Sequence, residues 1–223
     1  MHVNLIIPTY DRPLMLKDCI QSIVKSTYED KSIIVVIDGN RQMINDLVDE
    51  PIAIIFNSQR KDWIWNMNRA LNSFIADGII YASDDIAFQP DCISIAVKAM
   101  QERFPDGDGL VAFKWTGVET VESPAFGIMG RKFIERFPDR AVFCPDYIHY
   151  ASDSELKRFA VSIGKFYFCR EAVITHKAPK DNTYRLAHEF RSEDARLYYK
   201  ARPAKGYLWG KNFGLVTKKA IQI

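Results

Sequence analysis

The chain has 223 residues, 48% of them hydrophobic and 26% charged, with a formal net charge of +2. That length suits one α/β domain with a full core, and the balanced charge argues against a nucleic-acid binder, which carries a strong basic excess. No apolar run reaches the ~18 residues a membrane span needs, and the opening MHVNLIIPTYDR meets Thr9, Asp11 and Arg12 too soon to be a signal peptide.

Val3 to Pro8 is nearly all apolar, as a strand buried on both faces requires. Asp11 and Pro13 then mark a helix start, and Leu16, Cys19, Ile20, Ile23 and Val24 recur at helical spacing. Ser32 to Ile37 reads as a second strand ending at Asp38-Gly39-Asn40, and Ile52 to Phe56 as a third. Asp62 is placed to cap a helix whose inner face carries Ile64, Met67, Leu71, Phe74 and Ile75. Ile79 to Ala82 is a fourth strand, ending at Ser83-Asp84-Asp85, and Pro90-Asp91 opens a helix with Ile93, Ala96, Val97 and Met100 inward. Strands alternating with helical patterns imply βαβ units and a parallel sheet.

Beyond Gly109 the pattern changes. Strands are expected at Leu110 to Trp115 and Phe126 to Met129, then a short helix from Arg131 to Phe137. Ser152 opens a helix that buries Leu156, Phe159, Ala160 and Ile163, and Gly164 is suited to end it. Two short strands are expected, at Lys165 to Cys169 and at Ala172 to Thr175. From Lys177 on, the chain is polar, aromatic and irregular. Cys19, Cys92, Cys144 and Cys169 show no Cys-x-x-Cys spacing and read as reduced core thiols of a cytoplasmic protein.

In an open parallel sheet, ligands bind outside the carboxyl ends of the strands. Those ends carry Thr9-Tyr10-Asp11, Asp38-Gly39, Asn57-Ser58 and Ser83-Asp84-Asp85. Carboxylates gathered at one edge repel each other unless a cation or a hydroxyl donor is bound there. Hard divalent cations take carboxylate oxygens and share their coordination with substrate phosphates. The edge therefore reads as a site for a metal, phosphates and the hydroxyls of a sugar or nucleoside.

These segments resemble a family 2 glycosyltransferase with the GT-A fold. NLIIPTYDRPLMLKDCIQSI is similar to that family's first strand and helix, and SIIVVIDGN to its second strand, where an acid contacts the nucleoside. GIIYASDDIAFQPDCI resembles the strand carrying its Asp-x-Asp metal motif, SDSELKRFAVSIGKFYF its acceptor-side helix, and AVITH a strand ending in histidine. The resemblance covers roughly residues 3 to 176. It implies a Rossmann-like, mostly parallel sheet flanked by helices, in a domain over 1–176 with a nucleotide-binding half (1–105) and an acceptor half (106–176). A basic, aromatic extension over 177–223 would pack on that domain or close over it.

The resemblance implies roles by position. Pro8, Thr9, Tyr10, Arg12, Asp38, Arg69, Ser83 and Asp84 would bind the nucleotide of a nucleotide-sugar donor, a UDP-sugar first. Asp85 and His176 would hold Mn2+ or Mg2+, and Asp153 would be the base that deprotonates a glycan or other hydroxyl acceptor. The family usually has an acid where this chain has Ser83. Each residue also has a plainer reading. Asp38-Gly39 is a common turn pair, His176 a lone histidine, and Arg69 a residue on a solvated helix face. Ser152-x-x-Glu155 is a capping-box pattern, so Glu155 is expected as a cap and Asp153 is also favourable in a first helical turn.

After Asp194 no acid follows, while Arg196, Lys200, Arg202, Lys205, Lys211, Lys218 and Lys219 all do. That segment would close over the donor diphosphate or touch an anionic membrane surface. The expected reaction is a metal-dependent, inverting sugar transfer. Two alternatives stay open. One is a non-catalytic nucleotide- or glycan-binding module. The other is a sugar-phosphate nucleotidyltransferase, although Pro8-Thr9-Tyr10-Asp11-Arg12 stands where such enzymes carry a glycine-rich loop.

Overall fold

In the computed structural model of the chain, residues 1–116 and 123–213 are described. Strand β1 (Val3–Thr9) is buried along its whole length. Its side chains alternate between two cores: Val3, Leu5 and Ile7 enter one, and Ile6 the other. Strand β2 (Lys31–Asp38) does the same, with Ile33, Val35 and Ile37 on the first face and Ile34 and Val36 on the second. Burial on both faces is why these strands are continuous apolar runs.

Helices α1 (Pro13–Val24) and α4 (Cys92–Arg103) cover the first face. The second is covered by α3 (Asp62–Ser73), α5 (Arg131–Ile134) and α6 (Ser152–Ser162). Gly164 follows α6 at φ +69, the left-handed geometry expected of a helix-ending glycine. With β3 (Ala53–Asn57), β4 (Gly78–Tyr81), β5 (Ile86–Phe88), β6 (Leu110–Thr116), β7 (Gly127–Gly130) and β8 (Phe166–His176), the sheet has the order β3-β2-β1-β4-β7-β6-β8-β5. Pairing is parallel among β1, β2, β3 and β4 and between β6 and β8; β7 and β5 run antiparallel to their neighbours.

The structure departs from these expectations at several points. The two strands expected at 165–169 and 172–175 are one strand, β8, whose register against β6 jumps from Phe113↔Cys169 to Lys114↔Val173. Exposed Arg170 and Glu171 loop out at the jump and break the apolar pattern. Strand β5, between Asp85 and Pro90, and the short helix α2 (Met43–Asp46) were not anticipated.

The chain beyond Lys177 is largely helical: α7 (Asn182–His188), α8 (Arg191–Arg196), a π-helical turn (Leu197–Ala201) and α9 (Arg202–Ala204). Its inward residues include Asp194, Arg202 and Trp209. Apolar periodicity cannot find a segment anchored by polar groups that bury themselves in pairs. Asp62 does not cap α3; the N-cap position is Lys61, and the capping oxygens come from Asp38. The cysteines are free and buried. Among the described residues no helix is long and apolar enough to cross a membrane. Lys218 and Lys219 lie outside the described residues.

Candidate active site

The chain adds β2 and β3 on one side of β1 and β4 on the other. A crevice opens where strand order reverses in this way. There the ends of β1 and β4 meet, and the Thr9 hydroxyl donates to Asp84 Oδ2 at 2.8 Å. Arg12, in the turn after β1, donates from Nη1 to Asp84 Oδ1 at 3.0 Å and lies 3.5 Å from Asp85 Oδ2. Its other edge, Nε and Nη2, grips Asp181 at 2.8 Å each.

Asp85 accepts a hydrogen bond from the Ser83 hydroxyl. The departure at Ser83 therefore orients a neighbouring carboxylate. His176 reaches the same place because β5 pairs with β8 in a register that sets Ile86 opposite His176. Its Nε2 stands 3.3 Å from Asp85 Oδ2, with the ring against Trp115 and Phe126.

The two neighbouring carboxyls titrate differently. Burial pushes Asp84 up to about 6, offset in part by Arg12 and Thr9. Burial also works against Asp85, but His176, Ser83 and Arg12 outweigh it and hold that carboxyl below the usual range.

Asp38 is buried at the end of β2. Its carboxylate accepts the backbone N–H of Lys61 at 2.8 Å and of Asp62 at 2.9 Å. Asp62 itself sits at φ +66 and pairs with Arg60 at 2.5 Å. The Arg60 guanidinium lies over the Tyr10 ring, 4.9 Å from its centre.

Asp153 enters from α6 and faces the same pocket, where burial raises its carboxyl above the usual range. Beside it His149 is pushed down to about 4 by burial, so its ring is neutral near pH 7. His149 Nδ1 and Ser152 Oγ have no hydrogen-bond partner among the described residues.

One pocket is thus lined by Pro8, Thr9, Tyr10, Arg12, Asp38, Ser83, Asp84, Asp85, Asp153 and His176. Arg69 does not line it: it donates to Asn57 Oδ1 and stacks on Trp65. Glu155 does not cap α6 either. Ala151 holds the N-cap position, and Glu155 is buried against Arg202 Nε at 2.8 Å, the Tyr147 hydroxyl and the Trp209 N–H. Sequence reasoning missed Arg60, Asn66, His149 and Thr183, which also line the pocket. His149 is four residues before Asp153, but no spacing rule marked it.

Three solved structures share the fold: mannosyltransferase PcManGT from Pyrobaculum calidifontis, in complex with GDP-Man and Mn2+ (18% identity, TM-score 0.65, 91% of this chain and 66% of that chain); S. aureus TarS 1-349 in complex with UDP-GlcNAc (13%, 0.63, 82% and 60%); and glucosyl-3-phosphoglycerate synthase from Mycobacterium tuberculosis in complex with Mn2+, UDP and phosphoglyceric acid (13%, 0.67, 88% and 77%). The chain therefore spans about two thirds or less of the first two. No curated protein matches it. A family model described as Glycosyl transferase family 2 matches residues 4–147, well over half the sequence, and the chain belongs to that family.

Proposed function

We propose that the chain transfers a sugar from a nucleoside-diphosphate donor, a UDP-sugar first, to an acceptor hydroxyl, with a divalent cation and inversion at the anomeric carbon. The observation that carries this reading is the convergence of Asp84, Asp85, His176 and Asp153 on a single pocket at the strand-order switch.

The donor set fits a shared metal site. Asp85 Oδ2 and His176 Nε2 are close enough to reach one ion. The oxygen suits Mg2+ or Mn2+, and the imidazole favours the transition-metal ion. Among the described residues no group of three or more such side chains is arranged for a metal. Diphosphate oxygens and water would complete the coordination, as is usual for such ions. When bound, the ion neutralises charge on the departing diphosphate.

The protein's own groups do the rest. In this reading Arg12, which donates to Asp84 in the free protein, turns toward the diphosphate, while the Thr9 hydroxyl keeps Asp84 oriented. Asp153 accepts the proton of the acceptor hydroxyl as its oxygen bonds to the anomeric carbon and the bond from that carbon to the diphosphate oxygen breaks. Displacement from the opposite face inverts the centre. Solved structures of this fold with GDP-Man, UDP-GlcNAc or UDP support the donor class and leave the base to experiment.

A thermal-shift screen of nucleoside diphosphates and nucleotide sugars, with and without Mn2+, identifies the donor, since a ligand of the folded state raises the melting temperature. Transfer or hydrolysis of the best binder then supports an enzyme. Binding without turnover would leave a nucleotide-binding module.

A further inference from the structure

The backbone from 144 to 151 has no helix or strand, yet it delivers Asp153 to the pocket. It is held from outside, by the C-terminal segment. Asp194 of α8 is fully buried. Its Oδ1 accepts the N–H of Ile148 at 3.0 Å, and its Oδ2 those of His149 at 2.9 Å and Tyr150 at 2.7 Å. Three successive backbone donors make an anion-binding concavity, and here the anion belongs to the protein.

The next residue, Ala151, sits at φ 65, ψ −11 in the left-handed region. A residue with a Cβ adopts this conformation at a steric cost, and holds it only where its surroundings impose it. Helix α6 starts immediately after. The loop is braced a second time by Arg202, which pairs with Asp146 at 2.5 Å and with Glu155 at 2.8 Å.

We propose that Asp194 is a positioning residue for the transfer reaction: by clamping the amides of 148–150 it imposes the turn at Ala151 and sets Asp153 against the pocket. The role rests on the transferase reading above. It also gives the C-terminal segment a part in the acceptor side of the site. The requirement is for a carboxylate. Asn at 194 has the same shape but turns an NH2 toward backbone donors, where no hydrogen bond can form.

The test is Asp194→Asn in the full chain, read three ways: amide hydrogen exchange at 148–150, affinity for UDP with Mn2+, and kcat with the identified donor. Expected are faster exchange at those amides, unchanged UDP affinity, and a kcat lower by roughly 10²-fold, the scale of a misplaced catalytic group. Adding Ala151→Gly should restore part of that kcat, because glycine adopts the turn without the clamp. If Asp194→Asn does not fold, Asp194→Glu tests the same point by displacing the carboxylate by one methylene. Freed amides with normal kcat would overturn the proposal, as would kcat and UDP affinity falling together. Absence of transfer by the unaltered chain with every donor overturns the transferase reading and this role with it, while the exchange data still report the clamp.

Discussion

Burial sets the Asp153 carboxyl above its ordinary range, and the sign of the pH effect follows. A base must be ionised, and burial favours the neutral acid. Transfer is therefore lost as pH falls through a raised value, so the acid limb of kcat should lie above the usual carboxylate region. A pH profile of kcat checks this, and a limb near the ordinary aspartate value would exclude Asp153 as the base. Asp153→Asn should lower kcat by roughly 10²–10⁴-fold, the usual contribution of a general base, with unchanged UDP affinity. In the same pocket, Asp85→Asn and His176→Ala should each weaken Mn2+ binding in the presence of UDP, read by Mn2+ electron paramagnetic resonance. Normal Mn2+ affinity in both variants would remove the metal assignment. Asp85 and His176 were legible as pocket residues because strand ends can be read from apolar runs, and ligands gather there, whereas Asp153, on a helix, was reached only through the family resemblance. Asp181 and His149 were not legible, since what each meets (Arg12, and the pocket beside Asp153) appears only once distant segments pack.

Polar groups that tie one element to another were the least legible. Asp62 has the right type and place to cap α3, yet the cap comes from Asp38 on another strand, 23 residues before Lys61. Asp38→Ala should therefore cost about 1–2 kcal/mol of stability even without ligand, the range for losing a helix cap. Urea unfolding measures it, and a donor-affinity loss with no loss of stability would return Asp38 to nucleoside binding alone. The pattern Ser152-x-x-Glu155 misled for the same reason: Glu155 turns inward to Arg202. Removing one partner of a buried pair leaves a bare charge, so Arg202→Met should destabilise by about 3–5 kcal/mol. A change near zero would mean that Glu155 and Asp146 find other partners. By contrast β1, β2, α1 and α4 are where apolar periodicity placed them, because the side chains they pack into the two cores are almost all apolar. Strand β8 was split in the reading because exposed Arg170 and Glu171 interrupt it at the register jump.

At the scale of the whole molecule, the C-terminal segment divides in two. Residues from Asp194 to Trp209 are tied in by buried groups: the Asp194 clamp, the Arg202 pairs and the Trp209 indole donating to Ala141 O at 2.8 Å. The stretch from Lys177 to His188 is held mostly at its surface, through Lys177–Asp18 at 2.8 Å, Arg12–Asp181 at 2.8 Å and the Thr183 hydroxyl on Tyr10 O at 3.0 Å. Thr183 and Ala187 also line the pocket. Closure over the diphosphate, expected of the 177–223 extension, is therefore proposed for 177–188 alone. Such a lid would keep water from the activated sugar. Trypsin should cut the free protein first after Lys180 and Arg185, both exposed, and more slowly after Arg196, whose helix is anchored by Asp194. UDP with Mn2+ should slow the cuts at Lys180 and Arg185, because lysine and arginine there gain an anion to cover. Faster cutting with ligand would mean that the diphosphate takes Arg12 from Asp181 and opens the segment, which sinks the lid. Equal cutting with and without ligand, together with binding to anionic vesicles, would favour contact of the basic residues with a membrane surface instead.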